Sequence, residues 1–189
     1  MTDAVVAALL AGPVELAAAQ RSPSDGGAPA EPGLYAWWAA AGSIPGIAGP
    51  AHPCAPLEML YVGIAPSRAT SKARLRSRLL GNHAGGNTGS STLRRSLAAL
   101  LTDSEQYRTR WTSRTVLLPE DEQRLTEWMR ANLWLTWAVH EVPWAVEAEV
   151  IERLAPPLNQ ADNSAHALYP FVRAARKRWT DSARPRGDL

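Results

Sequence analysis

Two short segments, each with a glycine and a tyrosine, restrict the fold of this chain more than any other feature. The first begins Gly33-Leu34-Tyr35, and the second contains Tyr61-Val62-Gly63. Residues 33–39 and 57–65 have a strand-like composition, whereas the Gly/Pro/Ala-rich residues 42–56 between them cannot form a regular element. We therefore predict two antiparallel neighbouring strands that bring both tyrosines to one pocket.

Strand alternation predicts which side chains of the second segment share a face. Because side chains at i and i+2 point the same way, Tyr61 should lie with Met59 and Gly63. The apolar residues between them should face the opposite side: Leu60, Val62 and Ile64. One face of the sheet is thus expected to belong to the core and the other to a functional site.

The remaining pattern predicts a mixed α+β fold. Residues 133–142 favour a third strand, so we expect a small three-stranded antiparallel sheet flanked by helices, with extra helices at the N- and C-termini. The first of these helices is interrupted at Gly12-Pro13. Caps and apolar spacing place the predicted helices at residues 3–20, 72–80, 92–101, 119–130, 143–155 and 164–179. A flexible loop is expected at 81–89 and a polar linker at 102–118.

Length and cysteine content narrow the class of protein. A chain of 189 residues can bury a core as a single domain, and its lone cysteine, Cys54, has no second thiol with which to form a disulfide or a zinc cluster. A reducing, cytoplasmic setting is therefore expected. The apolar run 4–10 follows Asp3 and is too short for a membrane span, and its acidic flank argues against a signal peptide.

The distribution of charge indicates an anionic partner. The formal net charge is only +2, but arginines cluster in two stretches, at positions 68, 74, 76, 78, 94 and 95 and at positions 173, 176, 178, 184 and 186. Nucleic acid is the usual partner of such clusters. Solvated helix faces are the alternative interpretation, and charge alone does not decide between them.

Three further features follow the tyrosine motifs in order. They are a helical run that contains Arg78, a later helix that carries Glu147, and Asn159 beyond that helix. Together with the two motifs, this order resembles the GIY-YIG nuclease family over residues 33–160. The resemblance implies a three-stranded antiparallel sheet with packed helices, and residues 1–32 and 161–189 would be terminal additions to it.

The resemblance also implies a reaction and the residues that perform it. The reaction is endonucleolytic hydrolysis of a phosphodiester bond with one divalent metal ion, Mg²⁺ or alternatively Mn²⁺. Tyr35 and Tyr61 should lie near the nucleophile. Arg78 should contact the phosphate, and Glu147 should hold the metal. The residues expected to support the site structurally are Gly33, Gly63 and Asn159.

General chemistry is compatible with these roles. A phenol has a pKa near 10, so a tyrosine base needs the positive field of an arginine and a metal ion. The fork of an arginine meets two phosphate oxygens at once. A single carboxylate, completed by waters and phosphate oxygens, is a usual way to hold Mg²⁺.

The position of the arginine requires an insertion. In compact family members it follows the second motif by about eight residues, which here corresponds to Ser71. The pattern around Leu75 and Leu79 makes Arg78 a better match than Arg76, with Arg74 as the runner-up. His83 resembles a histidine that restriction-type members use, and an exposed loop histidine is its alternative interpretation.

The expected partner is nucleic acid, with DNA favoured over RNA, and no membrane partner is expected. The arginines expected to contact it are Arg74, Arg94, Arg95, Arg173 and Arg176. Trp37, Trp38 or Trp111 would stack on bases if exposed. A homodimer or a restraining partner protein is compatible with the sequence. Two other functions stay open: a catalytically silent nucleic-acid-binding domain and a protein-interaction module.

Overall fold

The centre of the molecule is a four-stranded antiparallel sheet. The computed structural model describes residues 2–161 and 163–184. Its strands are β1 (Val14–Glu15), β2 (Gly33–Ala40), β3 (Leu57–Ala65), β4 (Thr109–Trp111), β5 (Thr115–Leu117) and β6 (Leu133–Val139). The main sheet has the order β1-β6-β2-β3. The mixed α+β fold and the three predicted strands are confirmed, and β1 adds a short fourth strand at the edge.

The added strand comes from the segment that was predicted to be an interrupted helix. Helix α1 (Thr2–Leu9) ends before Gly12-Pro13, β1 pairs with residues of β6, and α2 (Leu16–Ala19) follows. Proline cannot donate a helical hydrogen bond and clashes with the preceding turn, so the helix stops there. The predicted helix over 3–20 is therefore a helix, a strand and a second short helix.

Helices cover both faces of the sheet. The longer elements are α3 (Thr92–Glu105), α4 (Pro119–Asn132), α5 (Glu147–Leu154), α6 (Tyr169–Ser182) and a π-helix (Ser77–Ala84). One core contains apolar residues of α1 and α5 together with Trp38 and Met59. The other contains Tyr35 and Trp37 together with apolar residues of the π-helix and of α2, α3, α4 and α6. The two motif tyrosines belong to this second face.

A β-bulge in β3 changes the predicted alternation of side chains. Trp37 pairs with Tyr61, but the next residue, Trp38, pairs with Met59, so Leu60 is an extra residue. Leu60 consequently packs in the core that contains Tyr35, whereas Met59 packs in the opposite core. The predicted faces of Met59 and Leu60 are wrong, because a strict period of two holds only without a bulge.

A two-stranded hairpin replaces the predicted polar linker. Strands β4 and β5 pair in antiparallel register, with Thr109 opposite Leu117 and Trp111 opposite Thr115. Asp121, at the start of α4, accepts hydrogen bonds of 2.9 Å from the backbone N–H and the side-chain Nε–H of Arg108. The hairpin is therefore fastened to α4 at its base.

Arg94 is a structural residue. Its side chain is fully buried and forms a 2.9 Å ion pair with Glu122. It also donates hydrogen bonds to the carbonyl oxygens of His83 and Glu122 and to the hydroxyl of Thr126. The prediction that Arg94 contacts nucleic acid is wrong, because the guanidinium has no accessible surface and already joins α3 to α4.

The C-terminal helix begins later than expected, at Tyr169 rather than 164. It packs on α3 through Val172, Ala175 and Trp179. Residues 185–189, the end of the predicted C-terminal addition, lie outside the described residues. Within the described part of the chain, none of the helices combines the length and the apolar character that crossing a membrane would require.

Candidate active site

The two strand motifs meet because β2 and β3 are neighbours. Tyr35 pairs with Gly63 across the strands, and the rings of Tyr35 and Tyr61 lie 6.4 Å apart. A Cβ atom on Gly63 would come within 2.5 Å of Cζ of Tyr35. Glycine is therefore needed at this position, since the Tyr35 ring lies directly over its backbone. A Cβ on Gly33 would similarly overlap the carbonyl of Ala138.

A π-helix carries the predicted arginine and histidine. This π-helix includes the end of a predicted helix and the start of a predicted flexible loop. Its i to i+5 hydrogen-bond pattern is seen in the 2.7 Å bond from the N–H of Gly85 to the carbonyl of Leu80. In an α-helix, residues five apart point about 140° away from each other. The wider π-helix brings Arg78 and His83 closer to one face.

His83 is buried against Tyr35 and does not lie in a solvent-exposed loop. Its Nε2 lies 2.7 Å from the Tyr35 hydroxyl, and its Nδ1 lies 2.8 Å from Oγ of Ser91. Ser91 also caps α3 by accepting a bond from the backbone N–H of Arg94. Burial, with the positive charges of Arg78 and Arg94, lowers the pKa of His83 to about 3. The imidazole is therefore neutral near pH 7.

Arg78 lies between the tyrosines and the acidic residue of the site. Its guanidinium interacts electrostatically with Tyr35, Tyr61 and Glu147. Burial alone would lower the pKa of Arg78, but its interactions with Tyr35, Tyr61 and Glu147 outweigh burial and raise that pKa above its ordinary value. Arg78 as a whole is half-buried, and its Nε is a buried donor without a hydrogen-bond partner in the described part of the chain.

Tyr35 is closed off from solvent. Its ring and hydroxyl are fully buried, and this burial, followed by the effect of Tyr61, raises its pKa well above 10. Arg78 opposes the rise in the pKa through its positive charge. Tyr35 is thus a neutral phenol at neutral pH. Tyr61, by contrast, is only partly buried.

Glu147 is the first residue of α5 and follows a 3₁₀ turn at Pro143–Ala145. Its side chain is half-buried, and its charge acts on both Arg78 and Tyr35. Among the described residues, no group of three or more His, Cys, Asp and Glu side chains could hold a metal ion. A single carboxylate fits Mg²⁺, whose remaining ligands are commonly waters and substrate phosphate oxygens.

Asn159 fastens the segment after α5 to the free edge of β3. Its Oδ1 accepts a 2.9 Å bond from the N–H of Val62, and its Nδ2 donates a 2.8 Å bond to the carbonyl of the same residue. The N–H of Leu158 donates to the carbonyl of Leu60. The Asn159 side chain thereby supplies hydrogen-bond partners to a strand edge that lacks a neighbouring strand, and it holds Tyr61 in place.

The other arginines near this region differ in their environments. Arg76 donates to the carbonyl oxygens of three N-terminal residues, Gln20, Arg21 and Ala28, and so holds that segment. Arg74 donates to its neighbour Ala73. Arg173 is exposed beside Tyr169, whereas Arg95 and Arg176 line a cavity. Of the arginines predicted to contact nucleic acid, only Arg95 and Arg176 lie together.

Sequence reasoning missed two residues of this region. Ser91 was recognised as a helix cap, but nothing in the sequence links it to a histidine eight residues earlier. Arg114 was assigned to a linker, although it lines the cavity of Arg95 and Arg176. Of the tryptophans considered for base stacking, Trp37 and Trp38 are fully buried, and Trp111 is 40% exposed. Trp37 and Trp38, both in β2, are therefore not available to stack on bases.

Comparison with models of protein families identifies the family of this chain. The model of the GIY-YIG catalytic domain matches residues 33–178, and the chain therefore belongs to the GIY-YIG family. The match extends through most of α6, beyond the predicted limit at residue 160. Members of this family are nucleases that generally use divalent metal ions. No curated protein and no solved structure matches the chain significantly.

Proposed function

We propose that this protein is a metal-dependent endonuclease that hydrolyses DNA phosphodiester bonds, with Mg²⁺ as the metal. The observation that supports this most strongly is that Arg78 interacts electrostatically with Tyr35, Tyr61 and Glu147 together. The cytoplasmic location stays a prediction.

Arg78 is the phosphate-binding group of the proposal. A guanidinium stays charged at any relevant pH and can donate to two phosphate oxygens, which stabilises the charge that develops at phosphorus. Because the charge of Arg78 acts on the closed Tyr35, a phosphate that draws the guanidinium outward would also open the Tyr35 hydroxyl to the attacking water. Tyr61 lies on the accessible side and would help to orient that water.

The hydrogen bonds of Tyr35 suggest a path for the proton of the attacking water. The 2.7 Å contact with Nε2 of His83 is the side-chain hydrogen bond of the phenol, and the positive charge of Arg78 disfavours a proton directed at the guanidinium, so we assign the phenol proton to the bond with His83. The water would give a proton to Tyr35 as Tyr35 gives its own to His83. A phosphate beside Arg78 offsets one of the positive charges that lower the pKa of His83, so substrate binding favours this transfer.

Glu147 is the residue proposed to hold the metal. A bound divalent ion supplies positive charge for the phosphate and for the leaving oxygen. The carboxylate is fixed by its position at the start of α5, and Asn159 holds the following segment against β3. The leaving oxygen departs with its bonding electron pair and takes a proton from solvent.

The proposal is tested by cleavage of supercoiled plasmid, linear duplex and single-stranded DNA with Mg²⁺ or Mn²⁺. Wild type is compared with Arg78→Ala and Glu147→Gln. The matched controls are Arg130→Ala, which removes an exposed arginine at the end of α4, and Glu149→Gln on the same helix as Glu147. Circular dichroism and thermal unfolding establish that every variant is folded.

We expect metal-dependent nicking in wild type and both controls, with loss in the two site variants. Equal cleavage by all five proteins would indicate contamination or a wrong site. Salt-dependent DNA binding without any cleavage would favour the silent nucleic-acid-binding domain. Absence of both cleavage and binding would favour the protein-interaction module.

A further inference from the structure

Three arginines from separate parts of the chain line one cavity next to the proposed active site. Arg95 comes from α3, Arg114 from the turn of the β4–β5 hairpin, and Arg176 from α6. The cavity has a volume of about 420 Å³, and its other lining residues are Ser113, Thr115, Trp179 and Thr180. Its lining therefore contains three positive charges and no acidic side chain.

The arginines of this cavity lack counter-charges, unlike several others in the molecule. Each of four arginines, Arg94, Arg108, Arg124 and Arg153, forms an ion pair with a carboxylate. In the part of the chain that the structure describes, no ion pair involves Arg95, Arg114 or Arg176. Arg95 donates instead to the hydroxyl of Thr92, and Arg114 donates to the carbonyl of Gly89.

The clustering carries an electrostatic cost. Burial lowers the pKa of Arg95, and the charges of Arg176 and Arg114 lower it further. Burial likewise lowers the pKa of Arg176. Like charges held together in a partly closed space repel one another, and a bound anion would remove that repulsion.

The positive charge of the cavity extends to the proposed active site. Arg176 interacts electrostatically with Tyr61, the partly buried tyrosine of the pair, so the cavity lies near that tyrosine. A strand whose scissile phosphate lay at Arg78 would therefore run past Tyr61 toward these three arginines.

We propose that the cavity of Arg95, Arg114 and Arg176 binds a second backbone phosphate of the nucleic-acid strand that is held at Arg78. This inference rests on the proposed function. Guanidinium groups pair with phosphate through two parallel hydrogen bonds, and three of them from different elements fix the position of one phosphate. The cavity thus sets the direction of the strand and requires the substrate to extend beyond the scissile bond.

The first measurement is the salt dependence of DNA binding. Fluorescence anisotropy with a labelled duplex, in metal-free buffer so that nothing is cleaved, compares wild type with Arg95→Gln, Arg114→Gln and Arg176→Gln. Each loss of a phosphate contact should reduce the slope of log K against log salt by about one. Arg130→Gln is the charge-matched control and should leave the slope unchanged.

A second measurement locates the phosphate. Single methylphosphonate substitutions remove the charge of one phosphate at a time along the strand. In wild type, one substitution away from the scissile bond should weaken binding by about tenfold, and the same substitution should weaken binding less in Arg114→Gln, where only Arg95 and Arg176 still meet that phosphate. Arg114 lies in an exposed turn, so this variant is expected to fold, and Arg114→Lys should recover part of the loss.

The outcomes separate this inference from the proposed function. Slopes that are unchanged in all three variants, or equal methylphosphonate losses in wild type and Arg114→Gln, would overturn the inference even if the protein cuts DNA. Reduced slopes in a protein that cuts nothing would support the cavity and overturn the nuclease. Stabilisation by inorganic phosphate, lost in Arg114→Gln without any change in DNA binding, would indicate a free-phosphate site and contradict the inference.

Discussion

The regions around Arg94 and Arg78 use the same side chain for opposite purposes. Arg94 is fully buried, and Glu122 together with backbone oxygens surrounds its terminal nitrogens. Arg78 is half-buried and interacts electrostatically with Tyr35, Tyr61 and Glu147. The protein supplies partners for both terminal nitrogens of Arg94, whereas the half-buried Arg78 has room for an additional partner.

This difference shows how to separate a structural from a functional charge. A buried charge is tolerated when carboxylates and carbonyls meet its donors, and then it stabilises the packing of two helices. A charge that is partly open and lies beside other polar groups can instead bind an anion. Position in the sequence does not show whether an arginine is structural or functional. Arg94 is structural, yet the next residue, Arg95, lines the basic cavity.

The largest effect should follow from breaking the Arg94 region. Glu122→Gln leaves a fully buried guanidinium without its counter-charge, and we expect a loss of about 3–5 kcal/mol in the free energy of unfolding. Urea denaturation measures this loss. The matched control is Glu120→Gln in the same helical turn, whose pair with Arg108 is exposed and should contribute at most about 1 kcal/mol. Equal losses in both variants would contradict the comparison.

The Arg78 region should show the reverse behaviour. Arg78→Ala should reduce cleavage by about 10²- to 10³-fold, because one preorganised donor to the developing charge is removed. Its free energy of unfolding should change little, since a half-exposed charge contributes little to stability. Single-turnover cleavage and urea denaturation on the same preparation test both statements. A large loss of stability would make Arg78 a structural residue like Arg94.

A smaller effect is expected from disturbing the contact beneath Tyr35. Gly63→Ala introduces a Cβ that overlaps the Tyr35 ring, so the ring must move away from His83. We expect a loss of about 1–3 kcal/mol in stability, together with reduced cleavage. Gly81→Ala, on the exposed side of the π-helix with no atom near its Cβ, is the control and should be neutral or stabilising. A neutral Gly63→Ala would show that Tyr35 is not tightly held.

The pH dependence of stability should reveal the neutral histidine. The pKa of His83 is about 3 in the folded protein and near 6.5 in the unfolded chain, so the unfolded state binds the proton first as pH falls. Stability attributable to His83 is complete above pH 6.5 and decreases below it by up to about 1.4 kcal/mol per pH unit.

Urea denaturation between pH 7 and 4.5 on wild type and His83→Gln measures this term. The wild-type curve should fall more steeply than that of the variant, because the other titrating groups are common to both proteins. Parallel curves would show that the histidine is accessible and ionises normally when folded.

Local patterns in the sequence were sufficient for much of the fold. Strands β2, β3 and β6 were predicted from alternating apolar, aromatic and β-branched residues, and α4 from Pro119 followed by three acidic residues in its first turn. Such signals are read from neighbouring residues alone. The order of Tyr35, Tyr61, Arg78, Glu147 and Asn159 was likewise sufficient for the family, which the match over residues 33–178 confirms.

Other features were not predictable from neighbours. The bulge at Leu60 depends on how two strands pair, and the π-helix depends on contacts that His83 makes with Tyr35 and Ser91. The β4–β5 hairpin has no strong turn signal in its sequence. Each of these features is stabilised by residues that are distant along the chain, so local propensity gives no indication of them.

The sequence by itself determined which chemical groups this protein has available and in what order. Tertiary structure alone decided which of these groups meet. A π-helix brings Arg78 and His83 toward the same tyrosine, Tyr35. Arg94 forms a buried ion pair, whereas Arg95 lines a cavity with Arg114 and Arg176. The physical reason is that burial and the distance between charges determine whether an arginine stabilises the fold or binds an anion, and both are properties of the packed molecule.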